Sequence, residues 1–192
     1  YGVGITGDID LKVNGQYLKE YKIWKGVLRR CYSEYCHNTR PTYAECSMSK
    51  DFQYFPYFME WCSKQTGFGS LDDKGRPFTL DKDILIKGNK LYSEDTCCFV
   101  PYEINNSFLK RGNKRGVYLI GVCKRKDRFI AHLSRGNSIQ IFLGSFTTEI
   151  EAFNAYKQAK EAHIKSLAEK WKDQIDLRVY EALVKYEVEI TD

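Results

Sequence analysis

Three consecutive charged residues, Asp81, Lys82 and Asp83, form the clearest pattern of side chains that could do chemistry. They lie in segment 78–86, whose alternating apolar residues predict a β-strand, so both carboxylates would point to one side. Carboxylate oxygens are the hard ligands that Mg²⁺ prefers. Three residues farther along the chain are candidates to complete a magnesium shell: Asp95, Asn105 and Asn106. The alternative is that these residues only cap and turn the chain.

Positive charge is concentrated in one part of the 192-residue chain, whose net charge is +5. Residues 1–107 carry 14 basic and 14 acidic side chains, residues 108–170 carry 13 and 5, and residues 171–192 carry 3 and 6. Between residues 110 and 135 the ratio is 9 to 1. A positive segment of this kind favours a polyanionic partner such as nucleic acid, because phosphate neutralisation supplies most non-specific affinity.

A basic, glycine-containing linker at 110–114 predicts the main domain boundary. We therefore expect domains at 1–109 and 110–170, followed by an acidic helix and tail at 171–192. The alternation of apolar residues beyond the linker predicts three strands in an antiparallel meander, beginning with a strand over 117–122. Thr147 or Thr148 then caps a long helix that covers one face of the sheet. The fold class expected is α+β, with the other sheet face open.

The first part of the chain contains two strong helix patterns after a hairpin turn at Asn14-Gly15. The first helix, over 17–32, has an apolar stripe and a basic outer face, which is either a solvated surface or a phosphate-binding face. The second is an aromatic helix that begins after Ser49 and continues to Cys62. Both are expected to supply the core.

Seven cysteines are present, an odd number without a C-x-x-C pair. This spacing does not fit structural zinc, so no zinc is expected and the thiols are interpreted as buried cysteines in a reducing compartment. The sequence also lacks an apolar run of about 18 residues. We expect a soluble, intracellular protein without a membrane partner.

Three strings in the basic segment resemble the AP2/ERF DNA-binding domain: Arg115-Gly116-Val117-Tyr118, Arg128 to Leu133, and Phe142 to Phe146 before Glu151 to Tyr156. The resemblance covers about 55 residues and implies a three-stranded sheet that lies in the major groove of double-stranded DNA, with a helix behind it. The base-reading positions that it implies are Arg115, Gly116, Tyr118, Ile120, His132, Ser134, Gln140 and Phe142. The phosphate-holding positions expected from the hairpin are Lys124, Arg125, Lys126 and Arg128.

The first 107 residues resemble the HNH-type (ββα) domain that is joined to AP2-like modules in phage homing endonucleases. The strings are Tyr21 to Trp24, Arg30 to Tyr32, Phe52 to Trp61, Thr79 to Asp83, Tyr92 to Cys97, and Glu103 to Asn106. The resemblance implies a Mg²⁺-dependent DNA endonuclease with Asp81, Lys82 and Asp83 as catalytic residues, and Asp81, Asp83 and Asn105 as metal ligands. Lys82 stands where the family has its general-base histidine, and a lysine with an ordinary pKa near 10.4 is a poor base at neutral pH.

The function expected from both resemblances is binding of double-stranded DNA by a phage protein of the HNH/AP2 type, in the cytoplasm of an infected bacterium. Metal-dependent nicking or cleavage is the enzymatic version of this hypothesis. The alternative is a catalytically inactive binding protein, either a DNA-binding regulator or a phage factor that engages a host protein.

Overall fold

The computed structural model describes residues 1–108, 117–135 and 140–192. It divides into two compact units, Tyr1–Val100 and Pro101–Asp192. Both units mix helices with small sheets, which confirms the α+β class. None of the helices formed by the described residues is long and apolar enough to cross a membrane.

The first unit opens with the predicted hairpin. Strands β1 (Lys12–Val13) and β2 (Gln16–Tyr17) pair antiparallel, and Asn14 and Gly15 take positive φ angles of 52° and 75°. Asparagine and glycine tolerate this left-handed backbone better than other residues, which is why the pair predicts the turn. Helix α1 (Lys19–Tyr32) follows and buries its apolar stripe as expected.

The predicted aromatic helix is in fact two helices, α3 (Lys50–Gln53) and α4 (Phe55–Lys64). They follow α2 (Glu34–Thr39), a 3₁₀ turn at Pro41–Tyr43 and β3 (Ser47–Met48). Pro56 lies in the first turn of α4 and has no amide hydrogen, so it could not donate to the Phe52 carbonyl of a continuous helix. That carbonyl instead accepts a 2.6 Å hydrogen bond from the Trp24 indole Nε1.

Three short strands complete the first unit. β4 (Thr79–Asp81) pairs antiparallel with β6 (Cys98–Val100), and β5 (Leu91–Tyr92) pairs parallel with β3. The predicted strand over 78–86 therefore ends at Asp81. The core is largely aromatic, with the fully or almost fully buried rings of Phe52, Phe55, Phe58 and Phe99.

The second unit is a three-stranded antiparallel sheet packed on a long helix. After α5 (Tyr102–Phe108) come β7 (Val122–Arg125), β8 (Arg128–Ser134) and β9 (Gln140–Phe146), in the spatial order β7-β8-β9. Helices α6 (Glu149–Trp171) and α7 (Leu177–Val184) follow. Thr148 and Glu151 form a reciprocal capping box at the start of α6, which confirms one of the two predicted caps.

Helix α6 covers one face of the sheet. Leu133 of β8 packs against Phe153 and Tyr156 of α6, and the cluster is extended by partly buried side chains from the other strands. The acidic helix and tail expected at 171–192 pack back onto this unit through Ile175, Val179 and Leu183, each at most 4% exposed.

Two predicted boundaries differ from the structure. The unit division falls between Val100 and Pro101 because α5 packs against α6, where the Lys160 ammonium donates to the Ser107 carbonyl. The linker 110–114, which carried the predicted boundary, lies outside the described residues. The first strand of the sheet begins at Val122, whereas the alternation predicted a strand over 117–122.

Lys160 provides a test of this packing. It is 8% exposed, and burial lowers the pKa of its ammonium from 10.5 to about 8. The unfolded chain therefore binds a proton that the folded chain releases between about pH 8 and 10.5. Relative to a Lys160→Met variant, the wild type should gain about 3 kcal/mol of unfolding free energy as pH rises through this window. Chemical denaturation at a series of pH values measures the difference, and parallel profiles for the two proteins would contradict the burial of a titrating lysine.

Candidate functional site

The outer face of the β7-β8-β9 sheet is a surface on which six of the predicted DNA-contacting residues lie. Directly paired residues share a face, and the pairs Cys123–Ile130, Arg125–Arg128, His132–Phe142 and Ser134–Gln140 all lie opposite the face that packs on α6. We call this surface the open face. It consists of Cys123, Arg125, Arg128, Ile130, His132, Ser134, Gln140, Phe142 and Ser145.

The positive charge of the open face is concentrated at one end, around the tight turn Lys126-Asp127. Arg125 and Arg128 flank this turn as a direct cross-strand pair, and Lys126 takes a positive φ of 52° within it. The Arg128 guanidinium donates to the Ser145 carbonyl at 2.7 Å and to its hydroxyl at 3.3 Å. These bonds hold Arg128 along β9, while Arg125 and Lys126 are exposed to solvent.

The middle of the open face carries a group of polar and aromatic side chains. The Phe142 side chain is 62% exposed, and its ring contacts the His132 ring edge-to-face at a centroid distance of 5.8 Å. The Cys123 sulfur lies 3.9 Å from Nδ1 of the same histidine. Ser134 and Gln140 lie exposed at the far end of the strands. This arrangement offers hydrogen-bonding groups and one apolar ring to a ligand that lies across the strands.

A β-bulge between β8 and β9 changes the local shape of the open face. The register between β8 and β9 shifts between Ala131 and His132, so Leu143 has no direct partner on β8. Gly144, next to it, has a φ of 149°, and a Cβ there would meet the Phe146 ring at 2.8 Å. Such bulges increase strand twist locally.

Three predicted DNA contacts do not lie on the open face. Ile120 precedes β7 and packs partly buried against the α6 cluster, which corrects its assignment as a base-reading residue. Tyr118 contacts the Phe129 ring edge-to-face at 5.8 Å, and the Lys124 ammonium lies 5.3 Å from the centre of that ring. Phe129 pairs directly with Lys124, on the same side of the sheet as Ala131. Lys124 therefore lies on the α6 side of the sheet with Val122, whereas Tyr118 and Ile120 precede the strand, which starts at Val122.

Arg115 and Gly116, the other two predicted contacts, lie outside the described residues. The structure adds Cys123, Ile130 and Ser145 to the open face, which sequence reasoning missed as site residues. The sequence pattern already placed Ile130 and Phe129 on opposite faces of one strand. Only the pairing of the three strands reveals that Cys123 and Ser145 lie on the same face as Ile130.

The Asp81 segment of the first unit has a different geometry from the predicted one. Asp81 Oδ1 accepts hydrogen bonds from the backbone amides of Asp83, at 2.7 Å, and Ile84, at 2.9 Å. The chain therefore bends immediately after β4, and Asp81 and Asp83 do not alternate on one strand face. Burial raises the pKa of the Asp81 carboxyl above its ordinary value, while the two amides act to lower it.

Lys82 is a buried structural cation in this segment. Its side chain is 7% exposed, and its ammonium forms an ion pair with Asp83 and donates to the Asn89 carbonyl at 2.7 Å. The Asn89 side chain donates back to the Lys82 carbonyl at 2.8 Å, and the Lys82 ammonium lies 5.6 Å from the centre of the Tyr92 ring. Because the Lys82 side chain is buried and its nitrogen is engaged by Asp83 and Asn89, the arrangement does not support Lys82 as a general base that activates water.

Two of the three predicted magnesium ligands, Asp81 and Asp83, are engaged by protein donors, and the third, Asn105, lies on α5. Within the described ranges, no group of three or more His, Cys, Asp or Glu side chains could hold a metal ion. Carboxylate and amide oxygens have the right chemistry for Mg²⁺, and magnesium stays a prediction.

The described cysteines are free thiols, and six of the seven are buried. Burial raises the pKa of Cys31 to about 12 and that of Cys97 to about 12, which keeps both as unreactive thiols at neutral pH. Cys123, on the open face, is the partly exposed one.

Comparison of the chain with protein-family models, with curated proteins and with solved structures finds no match.

Proposed function

We propose that this protein binds double-stranded DNA through the open face of its three-stranded sheet. The observation that carries the proposal is the joint position of six predicted contacts on one surface: Arg125, Arg128, His132, Ser134, Gln140 and Phe142. A sheet backed by a single helix presents a twisted, solvent-exposed face that can enter a major groove about 12 Å wide. The arrangement of sheet and α6 is also the one that the AP2/ERF resemblance implies.

Each part of the face has a chemical role in this proposal. Arg125, Lys126 and Arg128 contact phosphates at the hairpin end, since they are the cations nearest the turn. Gln140 reads a base edge, because its amide can both donate to and accept from adenine. The exposed Phe142 ring contacts the methyl group of a thymine, with His132 supporting it from β8.

The version of this function that the Asp81 segment favours is binding without cleavage. The Asp81 carboxylate stabilises a chain bend and the Lys82 ammonium is held by Asp83 and Asn89, so the charged triplet has a structural role that needs no metal. A nuclease of the HNH type is the second candidate, because the carboxylate oxygens of Asp81 and Asp83 are of the kind that holds Mg²⁺, and we propose it as ancestry rather than present activity.

A charge reversal tests the binding surface. Arg125→Glu should weaken binding of a labelled 20-base-pair duplex by about 10-fold or more at 100 mM salt, because it removes one phosphate contact and adds a repulsive charge. Lys172→Glu is the matched control, since Lys172 is exposed and lies just after α6, away from the sheet. Fluorescence anisotropy measures both. Equal losses for the two variants would mean that the open face has no special role.

Incubation of the wild type with supercoiled plasmid and Mg²⁺ separates the two candidates. We expect the duplex to be bound and to stay intact. Appearance of nicked or linear plasmid that depends on Mg²⁺ and is abolished by Asp81→Asn would establish the nuclease and overturn the structural role proposed for the triplet.

A further inference from the structure

A groove on helix α1 has the composition of a nucleic-acid site, although it is far along the sequence from the sheet. It has a volume of about 280 Å³ and is lined by Tyr1, Tyr17, Tyr21, Lys22, Lys25, Gly26 and Arg29. The opposite side of α1 supplies the core through Trp24, Val27, Leu28 and Cys31. The groove is therefore the side of the helix that packing does not use.

The charge of the groove is positive. Lys22, Lys25 and Arg29 follow one another at helical spacing, and the lining residues include no carboxylate among those that the structure describes. A fourth cation, Lys12 on β1, holds its ammonium 4.7 Å from the centre of the Tyr17 ring at the rim. This row of cations is complementary to a phosphodiester backbone.

One wall of the groove is aromatic. Tyr17 and Tyr21 are stacked, with ring centroids 5.2 Å apart and an interplanar angle of 29°, and Tyr17 and Tyr1 remain 43% and 58% exposed. Nucleobases stack on such rings whatever their identity, and a basic groove that tracks the backbone beside them is the usual arrangement for single strands.

Gly26 is one of the residues that line the groove, and packing does not explain it. Glycine inside a helix costs about 1 kcal/mol relative to alanine. A Cβ at Gly26 would meet only the Arg30 guanidinium, at an ordinary contact distance of 3.7 Å. The protein thus keeps a destabilising residue at a position where a larger one would fit the fold. A side chain at this position would fill part of the groove.

We propose that this groove binds single-stranded DNA, with a base against Tyr17 and Tyr21 and adjacent phosphates on Lys22, Lys25 and Arg29. The site belongs to the first compact unit, so it does not depend on duplex binding by the open face. A protein with both surfaces can hold a duplex and an exposed strand of the same DNA molecule.

The test uses the full chain and a labelled oligothymidylate of ten nucleotides. Lys25→Glu should weaken its binding by about 10-fold and lower the slope of log affinity against log salt by about 0.7, the value for one single-strand phosphate. Tyr17→Ala should weaken it by about 10-fold and Tyr17→Phe should not, since the ring provides the stacking. Lys19→Glu, on the same helix but outside the lining, is the matched control for charge.

Gly26→Leu distinguishes a binding role from a structural one. The variant should fill the groove and abolish oligothymidylate binding while its melting temperature stays equal to the wild-type value or rises, because leucine is the better helix former. Arg125→Glu should leave single-strand binding unchanged, which separates this site from the open face.

Two outcomes would overturn the proposal. The first is wild-type affinity for oligothymidylate in the Lys25→Glu and Gly26→Leu variants. The second is equal affinity of the wild type for an abasic strand of the same length, which would show that the tyrosines contribute no stacking.

Discussion

Gly121→Ala should lower the unfolding free energy by about 3 kcal/mol, the largest effect expected for so small a change. Gly121 immediately precedes β7 and has a φ of 77°, a left-handed conformation that costs an alanine about 1 kcal/mol. An added Cβ would also lie 2.1 Å from Cδ2 of Tyr156, a ring of the α6 cluster that is 7% exposed. Relieving this overlap must shift either the ring or the start of the strand, which adds about 2 kcal/mol.

Differential scanning calorimetry of the full chain measures this effect, with Gly75→Ala as the matched control. Gly75 has a similar φ of 71°, but nothing lies within 4 Å of its Cβ position. The control therefore reports the cost of backbone conformation alone, about 1 kcal/mol. If the two variants lose the same stability, the close approach of Gly121 to Tyr156 is not part of the native packing.

Leu183→Ala should cost about 3 kcal/mol, within the range for a buried leucine truncated in a well-packed core. Leu183 is 1% exposed on α7, in the acidic C-terminal segment 171–192. A large loss of stability means that this segment is an integral part of the second unit. The expected loss in a flexible tail would be close to zero.

Val184→Ala is the matched control for Leu183→Ala. Val184 is the next residue of the same helix, is 36% exposed, and should lose about 0.5 kcal/mol on truncation. Urea denaturation of the full chain gives both values. A Leu183→Ala variant as stable as Val184→Ala would contradict the packing of α7 in the core.

Elements with local causes could be predicted from the sequence. The Asn14-Gly15 turn follows from the backbone freedom of two residues, and the start of α6 follows from Thr148 and Glu151, which satisfy each other's backbone amides. The alternation likewise grouped His132 with Ser134 on one face of β8 and Gln140 with Phe142 on one face of β9, because a strand has a period of two residues.

Elements that depend on distant contacts could not be predicted in this way. Alternation does not reveal where a strand ends, so Asp81 and Asp83 were expected on one strand face. In the structure Asp81 accepts hydrogen bonds from the backbone amides of Asp83 and Ile84, and the chain bends there. Ile120 fits an alternating strand equally well, but the strand starts at Val122 and Ile120 packs on α6. The division of the aromatic helix at Tyr54 was also missed, although Pro56 is a sequence signal for it.

The position of the positive charge could also be predicted only in part. Composition alone located the positive segment but not which of its cations share a surface. Strand pairing places Arg125 and Arg128 side by side on the open face and places Lys124 on the opposite face with Phe129. Strand pairing thus separates the predicted phosphate contacts on the open face from Lys124 on the opposite face. The surface proposed to bind DNA is therefore smaller than the basic segment of the sequence.

The most direct test of the central claim is the salt dependence of duplex binding by the wild-type protein. Three described cations lie on or beside the open face: Arg125, Lys126 and Arg128. At about 0.9 per phosphate neutralised, they predict a slope of about −2.7 in log affinity against log salt, or a loss of about 40-fold between 50 and 200 mM. Anisotropy with one labelled duplex across this range provides the measurement. An affinity that is unchanged over the same range would contradict DNA binding through this face.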